Sequence, residues 1–459
     1  MGRTKYIATV GPATSSIDVL YRVAQYVDGF RINFSHGDEK SWKNYVELIR
    51  KLEEKLGKRF AIIGDLQGPS VRIGHMETRH VGEGDIIIFR FREESQGDEI
   101  PVPRAEFFSI VRSGDVVLTN DGRLQVRIVD VGENYARGEV LTSGDLQKGK
   151  ALVIKGKEYG LPSIGEKDYR ALEFAAKVGL DYVAISYVKS PEDVKKARNI
   201  LSFLGEPDIK IISKIETRSA IERLEEIILE SDCVLIARGD LGLHFSLEEV
   251  PSIQKLIINS CYIYGKPVIV ATQLLESMVD SPVPTRAEVA DVYSAALEGV
   301  DALLLTDETA IGKHPVEAVK WLKRIAEKSE EESQALSRER IKITDIRDRF
   351  ALGVVELSEN LGAKILIYTK TGITAFRMAR FKPRTQIFAA SSKLRIVRQL
   401  SIIYGIRPLL IETQTYEEGL NKALETLKIT KSVSKGDIVV LTYGLREAPM
   451  HYVKIISIT

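Results

Sequence analysis

Cysteine is nearly absent, with only Cys233 and Cys261 in 459 residues. That excludes a disulfide framework and a thiolate zinc site. Both lie in apolar segments and read as small buried hydrophobes. Histidine is scarce too, and six scattered residues disfavour a histidine-held zinc centre. Neither sign of charge is in excess: the net is +1, so no global field favours nucleic acid or a membrane surface. No run approaches the ~18 apolar residues of a membrane span. The opening Met1-Gly2-Arg3-Thr4-Lys5 lacks an apolar signal core. A cytoplasmic protein with neither nucleic acid nor membrane as partner is expected. No Gly-x-Gly-x-x-Gly follows the first apolar run, which argues against an open dinucleotide-binding sheet.

What is present is alternation. Tyr6-Ile7-Ala8-Thr9, Phe30-Arg31-Ile32-Asn33 and Phe60-Ala61-Ile62-Ile63-Gly64 read as strands, and Ser41 to Leu56 has helical spacing. From Ser70 to Lys157 short β-branched runs broken by glycine replace that grammar, with a turn at Asn120-Asp121-Gly122; this predicts an inserted all-β domain. From Gly165 the βα alternation resumes, with strands at Asp181 to Ser186, Lys210 to Lys214, Cys233 to Ala237, Pro267 to Thr272 and Asp301 to Leu305. The total of about eight is the number that closes a parallel barrel. A charged stretch, Glu327 to Arg340, leads to a third αβ unit with strands at Lys364 to Thr369, Gln386 to Ala389, Arg407 to Ile411 and Asp437 to Thr442. The expected organisation is a (β/α)8 TIM barrel from 1–68 and 158–332, a β-barrel lid at 69–157 and a C-terminal α/β regulatory domain at 333–459.

Almost every inferred barrel strand finishes in polar residues: Arg31, Asn33 and Ser35-His36, then Asp65, Ser186, Lys214 with Glu216, Arg238-Gly239-Asp240, Thr272, and Asp307-Glu308. Singly these are loop solvation; together at one face they read as a site. Glu216 and Asp240, on adjacent strands, suit Mg²⁺ or Mn²⁺, hard cations that keep open positions for substrate. Lys214 could neutralise charge on a phosphoryl group or an enolate. It could instead form a Schiff base, but a neighbouring metal carboxylate favours the charged form. The glycines of Arg238-Gly239-Asp240-Leu241-Gly242 let backbone N–H groups approach a small anion. Arg31, Arg72 and Lys155 suit a polyphosphate held between barrel and lid.

These residues resemble a family. Thr4 to Ala13 (TKYIATVGPA), Arg31 to Gly37 (RINFSHG), Asp65 to Arg72 (DLQGPSVR), Ser213 to Glu216 (SKIE), Ala237 to Gly242 (ARGDLG), Thr272 to Met278 (TQLLESM), Pro284 to Asp291 (PTRAEVAD) and Asp307 to Lys313 (DETAIGK) look like pyruvate kinase. The resemblance implies phosphoryl transfer from phosphoenolpyruvate to ADP, giving pyruvate and ATP, in a homotetramer. It implies that Glu216 and Asp240 hold the divalent metal and that Lys214 stabilises the phosphoryl group and enolate. The backbone of Arg238, Gly239 and Asp240 would take the substrate carboxylate, with Ser186 also at the substrate. Thr272 would lie where the enolate is protonated, and Arg31 and Arg72 would contact phosphates. Pro12, His36 and Lys155 match nucleotide contacts; Asn33, Ser35, Asp65 and Leu66 match the monovalent-cation site.

The chain departs from the family pattern in two places. Ser70 stands where a glutamate accompanies bound K⁺, and Leu66, Gln67 and Ile73 look like the potassium-independent branch; activity without K⁺ is expected. In the C-terminal unit Thr369, Lys370, Thr371, Gly372 and Thr374 resemble a phosphate-binding effector loop, against the plainer reading of a helix cap. The later glycine-threonine loop is replaced by Tyr443-Gly444-Leu445-Arg446-Glu447, which points to a smaller phosphorylated effector than a sugar bisphosphate. Two other functions share the frame. A metal-dependent pyruvate-enolate aldolase or mutase would need neither lid nor ADP-binding arginines. A non-catalytic sensor would have lost Lys214, Glu216, Asp240 or Thr272, and all four are present.

Overall fold

The computed structural model describes residues 2–120, 122–332, 337–444 and 451–459. Asp121 of the expected turn, Leu445-Arg446-Glu447 and the expected domain limit at 333 lie outside the described residues.

Eight short strands form the first unit: β1 (Lys5–Val10), β2 (Gly29–Asn33), β3 (Ala61–Asp65), β4 (Tyr182–Ile185), β5 (Lys210–Ile215), β6 (Cys233–Ala237), β7 (Val268–Ala271) and β8 (Ala302–Leu305). They read as near-continuous apolar runs because both faces are covered, the inner by side chains and the outer by helices. Each strand pairs in parallel with the next in sequence, and β8 returns to β1 (Ala302 opposite Lys5), closing the barrel. All eight expected strands are present, with ends shifted by a residue or so; Pro267 and Thr272 fall just outside β7. The first long helix, Glu39–Leu56, starts ahead of its apolar pattern because Asp38 caps it, accepting a hydrogen bond from the Ser41 N–H.

The insertion leaves after β3 and returns before β4. Its six-stranded sheet runs in the order Val153–Ile154, Val116–Thr119, Leu124–Gly132, Tyr135–Val140, Ile86–Arg90 and Glu99–Pro101. A two-stranded ribbon, Arg79–Val81 with Gly144–Leu146, sits beside it. The sheet is open, so the expected lid barrel is corrected to an open sheet plus ribbon, with one short helix at Ala105–Ile110. Val71 already belongs to the lid's core and Leu66 to the barrel's.

The C-terminal unit is a sheet of five strands, β9 (Lys364–Tyr368), β10 (Ile387–Ser391), β11 (Ile406–Leu410), β12 (Ile438–Gly444) and β13 (His451–Ser457), ordered β11-β10-β9-β12-β13. The antiparallel edge strand β13 was not expected from sequence. It is largely exposed, and edge strands carry a weak apolar alternation.

One apolar cluster joins the interior of the lower barrel (Ile7, Ile63, Ile212, Ile269) to the C-terminal unit (Val355, Ile365, Leu400, Ile402). Polar links reinforce it: the Tyr182 hydroxyl donates to the Gln399 carbonyl at 2.7 Å, and Lys382 pairs with Asp301 at 2.6 Å with both side chains buried. The C-terminal unit therefore closes the end where strands begin, leaving the end where strands finish to the lid.

Candidate active site

Strand alternation decides what the barrel mouth presents. In β5, Ile211 and Ile215 pack outward against helices while Ile212 joins the interior cluster. Lys214 continues the interior row at the strand's end, and Glu216 follows it. The Lys214 ammonium lies 2.9 Å from Glu216 Oε1 and 3.4 Å from Asp65 Oδ1, and it donates to Ser186 Oγ at 2.8 Å. Ser186 passes its own hydroxyl hydrogen to the Leu66 carbonyl at 2.7 Å. Residues ending β3, β4 and β5 thus meet at one nitrogen. Burial alone would lower the Lys214 pKa, but Asp65, Glu216 and Asp240 together hold it above its ordinary value. A charged amine is a poor Schiff-base nucleophile, which favours the electrostatic reading.

Asp65 is clamped between two cations. Its Oδ2 accepts from Arg31 Nε at 2.7 Å, and Arg31 Nη1 donates onward to Thr9 Oγ1 at 3.1 Å. Although burial opposes it, Lys214 and Arg31 hold the Asp65 carboxyl below the usual range.

Tyr187, which sequence reasoning missed, connects the two metal candidates. Its N–H donates to Glu216 Oε2 at 2.7 Å and its hydroxyl to Asp240 Oδ1 at 3.3 Å. It sits at φ 53°, a left-handed conformation rare outside glycine. A bulky residue directly after an apolar strand was the available signal. Burial pushes the Glu216 carboxyl up to about 7, against the pull of Lys214. Its buried Oε1 meets the Lys214 ammonium and, among the described residues, no other donor. A buried anionic oxygen met by a single cation, beside a second carboxylate, fits a hard divalent cation, which would relieve the burial penalty. Among the described residues no group of three or more acidic, histidine or cysteine side chains could hold a metal. The remaining ligands would therefore come from substrate and water.

Arg238 opens the helix Arg238–His244 after β6. Its guanidinium is taken up by neighbouring residues: Nη1 pairs with Asp291 at 2.6 Å, and Nη2 donates to the Thr272 and Gln273 carbonyls at 3.0 and 2.8 Å. Those two residues adopt φ 68° and 52°, strain of about 1–3 kcal/mol each, and Arg238 fastens the strained turn. The Gly239 N–H donates to Thr272 Oγ1 at 2.9 Å. The expected residues do gather here, with Arg238 as a brace and Asp291 as its unforeseen partner.

Around the mouth, Pro12 begins a short turn after β1, and Asn33 Oδ1 accepts from the Ser35 N–H at 3.1 Å. Burial, with Arg72 and Arg31 close by, holds the His36 imidazole below its ordinary pKa. Arg72 is steered by Ser70, whose Oγ accepts from Nε at 2.8 Å, and by the Gly149 carbonyl at 2.8 Å. Lys155 stands exposed just beyond the lid's last strand and has no recorded bond to these groups. Thr369 to Thr374 lies apart, after β9 in the C-terminal unit. There Gly372, at φ 79°, caps the helix Ile373–Ala379 with no side-chain hydrogen bond, and its N–H donates to Thr369 Oγ1 at 2.9 Å. Thr371 is exposed, and the Lys370 ammonium lies over the Tyr416 ring, 4.9 Å from its centre.

Comparison with known proteins decides between the chemistries this geometry allows. Residues 1–319 match the family model of the pyruvate kinase barrel domain, and residues 348–458 that of the pyruvate kinase alpha/beta domain. The chain belongs to the pyruvate kinase family. Pyruvate kinase of Pyrobaculum aerophilum is 41% identical over 456 residues, covering 98% of this chain and 96% of that one. That of Aeropyrum pernix is 40% identical over 441 residues, covering 96% and 95%. The crystal structure of the Pyrobaculum aerophilum enzyme superposes with a TM-score of 0.89, covering 99% of each chain. A pyruvate kinase structure from Cryptosporidium parvum superposes at 0.91 with 30% identity, covering 100% of this chain and 96% of that one. Pyruvate kinases are phosphotransferases of glycolysis and are generally metal-dependent. The aldolase or mutase reading is not favoured.

Proposed function

We propose that this chain transfers the phosphoryl group of phosphoenolpyruvate to ADP, yielding pyruvate and ATP, at the mouth built around Lys214. The observation that carries the reading is the convergence of Asp65, Ser186 and Glu216 on the Lys214 ammonium within 3.4 Å.

Glu216 and Asp240 would hold the divalent metal, Mg²⁺ or Mn²⁺. When bound, that ion supplies charge neutralisation for phosphate and enolate oxygens. Lys214 stabilises the charge that builds on the phosphoryl group in flight and on the enolate oxygen it leaves. Arg31 and Arg72 orient phosphates, and Pro12, His36 and Lys155 border the nucleotide. The bond broken joins phosphorus to the enol oxygen, and the bond formed joins it to a terminal oxygen of ADP. The enolate's C3 then takes a proton from the Thr272 side, through water, while the backbone from Arg238 to Asp240 and Ser186 hold the substrate carboxylate. A coupled assay for pyruvate, with and without ADP, tests this: ADP-dependent turnover is expected, and pyruvate formed equally without ADP overturns it.

Potassium is dispensable in this reading, because Asp65 already faces two fixed cations, Arg31 at 2.7 Å and Lys214 at 3.4 Å, and Ser70 carries no charge for a bound ion to balance. Turnover in tetramethylammonium chloride should approach that in KCl; a large loss refutes it. The loop of Thr369, Lys370, Thr371, Gly372 and Thr374 would take the phosphate of a small effector, supported by its uncapped helix start. Thr371→Ala should then weaken that effector's apparent affinity while sparing basal turnover. A homotetramer follows from family membership, and light scattering that returns the mass of a single chain would contradict it.

A further inference from the structure

The lower end of a TIM barrel ordinarily serves stability, yet a cavity of about 300 Å³ lies there against the C-terminal unit. Tyr182, Lys210 and Pro267, where β4, β5 and β7 begin, form one wall; Ile373, Phe376 and Arg380 form the other. The volume is at the low end of the roughly 300–1,000 Å³ of small-molecule sites.

Charge in this cavity is unevenly matched. Asp232 is held by Lys210 at 3.0 Å and Arg198 at 3.1 Å. Asp348 is held by Arg380 at 3.0 Å and Arg377 at 3.5 Å. Lys266, also on the lining, makes no ion pair among the described residues: its ammonium donates to the carbonyls of Leu229 and Ser231, at 3.0 and 2.6 Å. Burial lowers its pKa, with Asp232 working against the shift, the behaviour of a cation short of a counter-charge. Arg380 spends only Nη1 on Asp348. Its Nη2 donates to the Lys342 carbonyl at 2.9 Å, but its buried Nε has no acceptor. The arginine crosses so close above Gly265 that a Cβ there would lie 2.0 Å from Nε. Apart from Thr344, the rest of the lining is apolar or aromatic, with Phe376, Tyr264 and an exposed Ile373.

We propose that this cavity binds a small aromatic carboxylate, its anionic end at Lys266 and Arg380 and its ring against Phe376 and Tyr264. A cationic end and an aromatic wall in one enclosure recognise that chemistry, and neither alone would. The site is separate from the barrel mouth and from the loop at Thr371, although the helix Ile373–Ala379 serves both the loop and the cavity.

Benzoate is the probe, titrated calorimetrically into the full chain in saturating phosphoenolpyruvate, with benzyl alcohol as its uncharged counterpart. One saturable benzoate site per chain is expected, with benzyl alcohol weaker by at least about tenfold, equivalent to about 1.4 kcal/mol. Lys266→Gln and Arg380→Gln should each weaken benzoate about tenfold, and Thr371→Ala should leave it unchanged. No saturable heat, equal binding of benzyl alcohol, loss in Thr371→Ala, or unchanged affinity in Lys266→Gln overturns the proposal. Should Arg380→Gln fail to fold for want of its Asp348 pair, Lys266→Gln alone decides, since its ammonium makes no ion pair among the described residues.

Discussion

Lys214 is a side chain whose surroundings leave it one state. Three carboxylates keep it charged, and Ser186 aims it. Replacing it with methionine keeps the length and removes the charge. We expect kcat to fall by roughly 10²–10³-fold or more, and the melting temperature to drop by several degrees because Glu216 and Asp65 lose a buried partner, measured by the coupled assay and by calorimetry. Retained turnover would remove Lys214 from the chemistry. Much at this scale was legible from sequence, because Lys214, Glu216, Asp65 and Thr272 are polar residues interrupting apolar strands, and such interruptions stand out. Tyr187 and Asp291 did not stand out. One is aromatic in an aromatic-tolerant position, and the other sits inside a helix. Their roles depend on which residues face them across loops. Arg238 was read through its backbone, beside the glycines that follow it, and nothing local in the sequence pointed to Asp291 as the partner of its side chain.

Among the elements, the strands were readable because both faces of each are buried and their composition is uniform. Their ends were less so, since a polar residue at a terminus belongs equally to strand and loop. The edge strand β13 escaped notice for the opposite reason, being half solvent-facing. Helix ends, by contrast, depend on caps that individual residues make, and one cap yields a pH prediction. Asp345 accepts from the Asp348 N–H at the start of helix Ile346–Asn360, and its two oxygens take the Arg377 guanidinium at 2.7 and 2.9 Å. The Arg377 hydrogen bonds, outweighing a small burial term, hold its carboxyl at about 2. A depressed carboxylate stabilises the fold above its unfolded value, near 3.9, and loses that contribution as pH falls through the folded value. The wild type should therefore lose stability where the helices Ile346–Asn360 and Ile373–Ala379 meet between about pH 4 and pH 2 more steeply than Asp345→Asn, read as melting temperature against pH. Parallel curves would contradict this. The side chain is 40% exposed, so added salt should flatten the difference.

Across the whole molecule, the C-terminal unit is bonded to the barrel more firmly than a linker would require. Lys382 and Asp301 are both nearly inaccessible, and Asp301 also accepts from the N–H groups of Val268 and Tyr404. Removing one member of a buried pair costs about 3–5 kcal/mol. Lys382→Met should thus lower the melting temperature by several degrees, and Asp301→Asn in the same chain should recover part of the loss. Absence of any shift would mean that the pair contributes nothing across the interface. The three-part layout was visible in sequence as a change of period, from helical alternation to short β-branched runs and back. The open form of the lid sheet was not visible, because closure depends on pairing between distant strands rather than on local pattern.

The position of that lid has a consequence of its own. It leaves after β3 and returns at the start of the helix Glu166–Val178, which leads into β4, and the Gly68 N–H donates to Asp168 Oδ1 at 3.0 Å. The insertion enters and leaves the barrel through a single gap. Beyond that gap it rests on the barrel where Arg123 pairs with Glu276 and where Leu118 and Val153 pack on Leu243. A pendant module attached in this way can be lengthened, shortened or exchanged in descent while all eight strands keep their partners.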